Sequence, residues 1–422
     1  MPRASLKEPG MRANKERSAA GGRLAELAAE MQDLATSAEH QRRAQLWADV
    51  MRLRGVRPVV NFYVYASVWE AELTDGATFR CPEGLARDLE KQMLFKLWRA
   101  KTIPDDTPLD PSVTVFPERP RRSRPFPWGV EMPVERAATP GSYKEVPALR
   151  SEADLERLSA PHYEENAEGT RECAEQAREL VSDQAAVRVR TDEVHWGPFE
   201  YAVRLRGIEN LLADVCEAPE FVHRLMATLT DGMAAYQKER EAAGAVSAQA
   251  DSIEHVHWRQ PPRGRENRLS GCWAYIHAQS AASLSPAMYA EFVHPHNCQL
   301  AELVGWTYYH GCEDLSRKCR IIKSLPNLRL FHVSPWTPIE PVIAELGPGV
   351  VYEVHSHPTT VIYGEDRAEI RRKLADLHSK AAGVPHVLAL ADVETFHGRF
   401  ERTVYWAETA QELASSAPRD GP

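Results

Sequence analysis

Apolar residues recur at helical spacing between about Leu24 and Arg54, at Leu24, Leu27, Met31 and Leu34 and again at Leu46, Val50 and Leu53, which predicts amphipathic helices there. The run Val59-Val60-Asn61-Phe62-Tyr63-Val64-Tyr65 that follows is short, β-branched and aromatic, and predicts a first buried strand. Cys81 to Ala100 reads as a helix. Pro104 to Pro147 is proline-rich and reads as an irregular insertion around a short second strand near Trp128 to Met132. Ser151 stands where an N-cap would start a helical turn over Leu149 to Leu158, and helical periodicity resumes from Glu164 to Ser182. The third strand is expected over Ala185 to Thr191.

Beyond it, helices over Arg204 to Glu217 and Pro219 to Ala242 lead to two strand-like runs, Val246 to Ile253 and Cys272 to Ile276. Strand and helix signals then alternate: helix Pro286 to Leu303, strand Thr307 to Tyr309, helix Leu315 to Leu325, strand Leu328 to Val333, helix Ile339 to Leu346, strand Val350 to Val354, helix Arg367 to Ala382, strand Val387 to Leu390 and helix Phe400 to Ala414. Repeated β-α units predict an α/β fold, a (β/α)8 TIM barrel over residues 57–415. It carries the proline-rich insertion and an N-terminal helical extension over 21–56, and residues 1–20, polar and basic, read as a disordered tail. A doubly wound open sheet is the alternative, and its dinucleotide-binding form is disfavoured because no G-x-G-x-x-G follows the first strand.

Composition narrows the class. With 43% hydrophobic and 26% charged residues and a net charge of -9, the chain of 422 residues has the balance of a globular protein with a large core and lacks a nucleic-acid-binding charge. No apolar run approaches the roughly 18 residues of a membrane helix, and a cytoplasmic location is expected. The 7 cysteines are scattered and odd in number, which argues for free thiols over a disulfide framework. Of the 16 histidines, those from His255 onward gather in the C-terminal half, several where apolar runs end.

In a parallel barrel the residues just past each strand converge on one mouth. Here they are Asp192, Glu193, His195 and Trp196, then Glu254, His255 and His257 or His277 and Gln279, then His310, Cys312 and Glu313, then Ser334 and Trp336, then His355 and His357, and last Asp392, Glu394 and His397. His310-Gly311-Cys312 is the sharpest element, because two ligands one residue apart at a strand end can address the same ion and zinc accepts an N/S pair. Glu394 is the natural third ligand, with Asp392 and His397 as alternatives. His277 and His195 are candidate substrate-polarising groups. Tyr63, Trp196, Gln279, Trp336 and His355 are candidate substrate contacts, Tyr63 and the tryptophans as surfaces for a flat ligand. Arg119, Arg121, Arg122 and Arg124 read either as a clamp for an anion or as a solvated loop.

Two segments carry a family resemblance. His195-Trp196-Gly197-Pro198-Phe199-Glu200-Tyr201 with Leu205-Arg206-Gly207 is similar to a G-P-[FW]-x-x-A segment of the uroporphyrinogen-decarboxylase superfamily. Ala282-Ser283-Leu284-Ser285-Pro286-Ala287-Met288-Tyr289 with Phe292-Val293-His294-Pro295 is similar to its L-S-P-x-x-[FY]-x-x-F-x-x-P segment, and the resemblance spans roughly Arg57 to Leu413. Porphyrinogen-decarboxylating members carry R-Q-A-G-R after the first strand, where this chain has Tyr65-Ala66-Ser67-Val68-Trp69-Glu70. The superfamily's zinc-dependent corrinoid methyltransferases carry H-x-C after a middle strand and a further ligand, usually Cys, after the last.

His310 and Cys312 match the first part, whereas no cysteine follows Cys319, so a carboxylate or His397 would serve. The resemblance therefore implies a zinc-dependent methyltransferase moving a methyl group between a small donor or thiol acceptor and a corrinoid, with a corrinoid protein as partner. The alternatives are a decarboxylase or lyase on a small or tetrapyrrole carboxylic acid, and a noncatalytic corrinoid-protein partner.

Overall fold

The structure is a computed structural model that describes residues 9–54, 57–75, 77–116, 128–136, 143–182, 184–190, 194–195, 197–247, 265–364 and 366–416. Helices α1 (Pro9–Thr36) and α2 (Ala38–Met51) precede β1 (Val59–Phe62), α3 (Ala66–Leu73), α4 (Leu85–Thr102) and β2 (Ser112–Val115). An antiparallel hairpin, β3 (Val134–Arg136) and β4 (Tyr143–Glu145), leads to α5 (Ala167–Leu180), β5 (Ala186–Val189) and β6 (Val194–His195). Then come α6 (Pro198–Arg206), α7 (Ile208–Glu217), α8 (Pro219–Ala242), β7 (Trp273–His277), α9 (Pro286–Phe292), α10 (His294–Ala301), β8 (Trp306–His310) and α11 (Cys319–Ile322). The chain ends with β9 (Leu328–Val333), α12 (Ile339–Leu346), β10 (Val351–Ser356), α13 (Pro358–Tyr363), α14 (Arg367–Lys380), β11 (His386–Leu390) and α15 (Phe400–Ser416).

The long parallel sheet runs β1-β11-β10-β9-β8-β7-β6, and β2 pairs in parallel with β5. Strand β6, at the far end of the long sheet, follows β5 in the chain, and the last strand, β11, neighbours the first. That is the strand order of a (β/α)8 barrel. Residues alternate as a strand's period of two requires. Val59, Trp273, Tyr275, Tyr308, Leu330, Val351, Val387 and Ala389 share the inner core. Val60, Phe62, Leu388 and Leu390 pack outward under α13, α14 and α15. Helix α2 closes the floor, with Leu46, Trp47, Val50 and Met51 against the inner residues.

Among the described residues, no ladder joins β1 to β2. Side chains do its work. On the β1 edge, Val60 N donates to Asp106 Oδ2 at 2.8 Å and Phe62 N to Asp105 Oδ2 at 2.9 Å. On the β2 edge, the Gln92 amide bonds both N and O of Thr114 at 2.9 Å, and Lys96 donates to Ser112 O at 2.6 Å. Gln92, Lys96 and Arg99 share one face of α4 by their spacing, so that helix satisfies backbone groups that an open edge would leave unpaired.

Several expectations are corrected. The second strand is Ser112–Val115, whereas Trp128 and Gly129 form a turn at φ 66° and 72°. Flanking prolines obscured the β-branched alternation of Ser112-Val113-Thr114-Val115, yet Pro111 just before it is compatible with a strand start. The helix expected over Pro286 to Leu303 breaks at Val293 because Pro295 occupies the first turn of a new helix. That over Leu315 to Leu325 shrinks to Cys319–Ile322. Residues 9–20, read as a tail, belong to α1, which opens on Pro9 and runs through good helix formers. Leu24, Leu27 and Met31 of α1, in the helical extension, share a core with Leu89, Met93, Val113 and Ala177.

Candidate functional site

Inward-facing positions near the strand C-termini are polar. His277 is in register with His310, and Glu353 with His332. The His310 and His332 rings stack with centroids 4.0 Å apart and planes at 6°, and His332 meets His355 edge-on at 4.2 Å. Tyr275 stacks on the other side of His310 at 4.9 Å. The result is a belt of imidazoles from four successive strands, β7 to β10. His332 Nδ1 donates to Gly311 O at 2.7 Å, which leaves Nε2 as the basic nitrogen of that ring.

Glu353, fully buried, anchors the belt. Its carboxylate accepts from the hydroxyls of Tyr63 and Tyr308 and from His355 Nε2 at 2.9 Å. Burial alone would raise this carboxyl's pKa, but the hydrogen bond and charge of His355 and the two tyrosine hydroxyls together hold it below its ordinary value. The anion in turn orients His355 and leaves Nδ1 as the nitrogen able to take or give a proton. His355 is also among the residues lining a cleft of about 490 Å3 that runs from Trp336, Thr337 and His357 outward between α12 and α14, past Ile370, Lys373 and Leu377. Trp336 is 63% exposed and stands edge-on to His357 at 4.9 Å.

Burial lowers the His277 pKa to about 4, so its imidazole is neutral at physiological pH. An NMR titration of the His277 ring should show it neutral throughout pH 6 to 8, and a midpoint near 6.5 would contradict that. Beside the belt, burial pushes the half-buried Glu313 carboxyl up to about 7. It packs so closely on Gly311 that a Cβ there would come within 2.6 Å of Oε2.

The structure places the residues named from sequence as follows. Tyr63 and His355 meet through Glu353, and Trp336 borders the cleft that His355 lines. Gln279 is exposed and outside that cleft's lining. His195 lies on β6 with its side chain outside the described residues, as are Trp196, Asp192, Glu193, Glu254, His255, His257 and the arginines from Arg119 to Arg124. His310 is inside the barrel at 6% exposure. Burial, then the charges of Asp392 and Glu313, raise the Cys312 thiol to about 11. Asp392, which takes a hydrogen bond from Tyr65 at 3.2 Å, is therefore the last-strand carboxylate whose charge acts on Cys312. Glu394 is exposed.

The donors His310, Cys312 and a carboxylate suit zinc in kind. Their arrangement does not fit: among the described residues no group of three or more His, Cys, Asp and Glu side chains is placed to hold a metal ion. Sequence reasoning missed Glu353, His332, Tyr308 and Tyr275. Their signal was there, as polar or hydroxyl-bearing residues at every second position of otherwise apolar strands, level with the inward Leu330 and Val351.

Residues 126–257 match the uroporphyrinogen decarboxylase (URO-D) family. Among curated proteins none matches the chain. Among solved structures, a methyltransferase from Methanosarcina mazei is similar at a TM-score of 0.53 and 13% identity, over 88% of this chain and 98% of that one. No helix of the described residues is long and apolar enough to cross a membrane. The fold is thus the α/β barrel shared with that methyltransferase, and one stretch of it, 126–257, carries the pattern of the uroporphyrinogen decarboxylase family.

Proposed function

We propose that the chain is an enzyme working at the barrel mouth by acid-base chemistry, as a carboxy-lyase on a small carboxylic acid. The observation that carries this reading is the Glu353–His355 pair: a buried carboxylate fixes one nitrogen of an imidazole near the strand C-termini and leaves the other for proton transfer. The cleft takes a small molecule by its size, and Trp336 and His357 offer it a stacking face and a hydrogen-bonding group. Breaking the bond to a carboxylate releases carbon dioxide and leaves an electron pair on carbon. His355, protonated at Nδ1, supplies the proton that this carbon takes up, and neutral His277 donates a hydrogen bond without repelling a cation nearby. The match to the uroporphyrinogen decarboxylase family supports a decarboxylation.

The test is carbon dioxide release from a panel of small carboxylic acids by chelator-treated protein. Turnover by the wild type, reduced at least about 100-fold in His355→Asn, is expected. Turnover unchanged in that variant, or absent across the panel, sinks the reading.

A second reading is zinc-dependent methyl transfer to a corrinoid, with a corrinoid protein as partner. It is favoured by Cys312 lying beside His310 at a strand end with the Asp392 charge in reach. Asp392 then competes with Glu394 and His397 as third ligand. A noncatalytic role toward a corrinoid protein is the remaining reading.

A further inference from the structure

We infer that the unladdered seam between β1 and β2 holds a second ligand site, separate from the mouth, for a flat apolar carboxylate. A cavity of about 320 Å3 opens there between α3, α4 and residues 107–110, of a size for a single-ring molecule. Trp69 and Phe95 line it with ring centroids 5.4 Å apart, and Ala66, Ala100, Pro108 and Leu109 complete apolar walls. Three cations also line it, Lys91, Lys96 and Arg99, against two carboxylates, Glu70 and Asp110.

All three cations are charge-paired. Lys91 pairs with Glu70 at 2.5 Å, and Lys96 donates to the carbonyls of Asp110 and Ser112. Arg99 differs. It is 7% exposed, and its Nη2 donates to Phe62 O, Asp105 Oδ2 and Thr107 Oγ1, whereas its Nε has no acceptor among the described residues. A buried guanidinium N–H at the wall of an aromatic cavity is a donor that a ligand oxygen would satisfy, and a carboxylate oxygen makes the stronger, charge-assisted bond to it. A carboxylate on a flat apolar body fits both parts: the charge meets Arg99 and the ring meets Trp69 and Phe95.

The site also reaches toward the mouth. Arg99 Nη2 donates to Asn61 Oδ1 at 3.3 Å inside the barrel, Asn61 adjoins the Tyr63 hydroxyl, and that hydroxyl donates to Glu353.

Calorimetric titration of the full chain with benzoate tests the proposal. One saturable site is expected, with affinity lowered about tenfold in Arg99→Lys, which keeps the charge and removes Nε. Ala66→Trp at the exposed rim, a change that leaves the seam's hydrogen bonds in place, should weaken binding at least as much. His355→Asn at the mouth should leave the affinity unchanged, and uncharged benzamide should bind more weakly than benzoate. The proposal is overturned by no saturation up to about 20 mM, by Ala66→Trp binding like the wild type, by loss of binding in His355→Asn, or by benzamide binding as tightly as benzoate.

Discussion

Replacing Glu353 by Ala should destabilise the protein by about 3–5 kcal/mol, because it strands three buried donors at once. Tyr63 OH, Tyr308 OH and His355 Nε2 all converge on that carboxylate, and none of the four side chains is more than 3% exposed. Each donor left without an acceptor loses its hydrogen bond without regaining water. Glu353→Gln is gentler on packing but presents an N–H to one of these donors, so it should still cost on the order of 1–3 kcal/mol.

The pH dependence follows from the direction of the Glu353 shift. A carboxyl held below its ordinary value of 4.5 contributes stability that is present above that value and lost as pH falls through the lower folded-state pKa. The gap between wild type and Glu353→Gln should therefore be full at pH 7 and shrink below about pH 4.5. Urea unfolding at both pH values reads this out. A Glu353→Ala protein within about 1 kcal/mol of wild type at pH 7 would show that the cluster does not organise the mouth.

Asp105→Ala should be comparably damaging, at about 3–5 kcal/mol, for an electrostatic reason. Arg99 and Asp105 form a salt bridge at 2.7 Å in which the side chains are 9% and 0% exposed. Removing the anion leaves a guanidinium buried beside Asn61 and Thr107 and also withdraws the acceptor of Phe62 N. Of the carboxylate contacts, the β1 edge at the seam then keeps only that of Asp106 to Val60 N. Hydrogen exchange at Phe62 should accelerate in Asp105→Ala far more than at Leu388, which is held within a ladder between β1 and β10. Equal protection at Phe62 in both proteins would mean that the seam is held by something other than Asp105.

The barrel was legible because its outward strand faces and its helices obey plain periodicities. Ile339–Leu346 coincides with the helix expected, and Leu328–Val333 with the strand. What periodicity could not show was the seam. Asp105, Asp106, Gln92 and Lys96 replace a ladder with side chains lying 16 to 46 residues away from the backbone groups they serve, and no local pattern marks such pairings. The site was half legible for a related reason. Strand-end logic found His277, His310, His355 and Trp336, which point into the mouth or border the cleft. It passed over Glu353 and His332 because they lie one step inside the barrel, where they read as interruptions of an apolar run. His310-Gly311-Cys312 drew attention as a tripeptide, yet backbone alternation turns His310 into the stack with His332, and the Cys312 thiol is held protonated by burial and neighbouring carboxylates.

The reaction proposed for the mouth stands on Glu353 and His355, with no step assigned to Cys312. Equilibrium dialysis of the purified full chain against zinc, in parallel with Cys312→Ala, separates these most directly. The expected result is that the two proteins bind zinc alike, with no stoichiometric site that depends on Cys312. One tightly held zinc per chain in the wild type, lost in Cys312→Ala, would contradict it and return His310 and Cys312 to the centre of the chemistry.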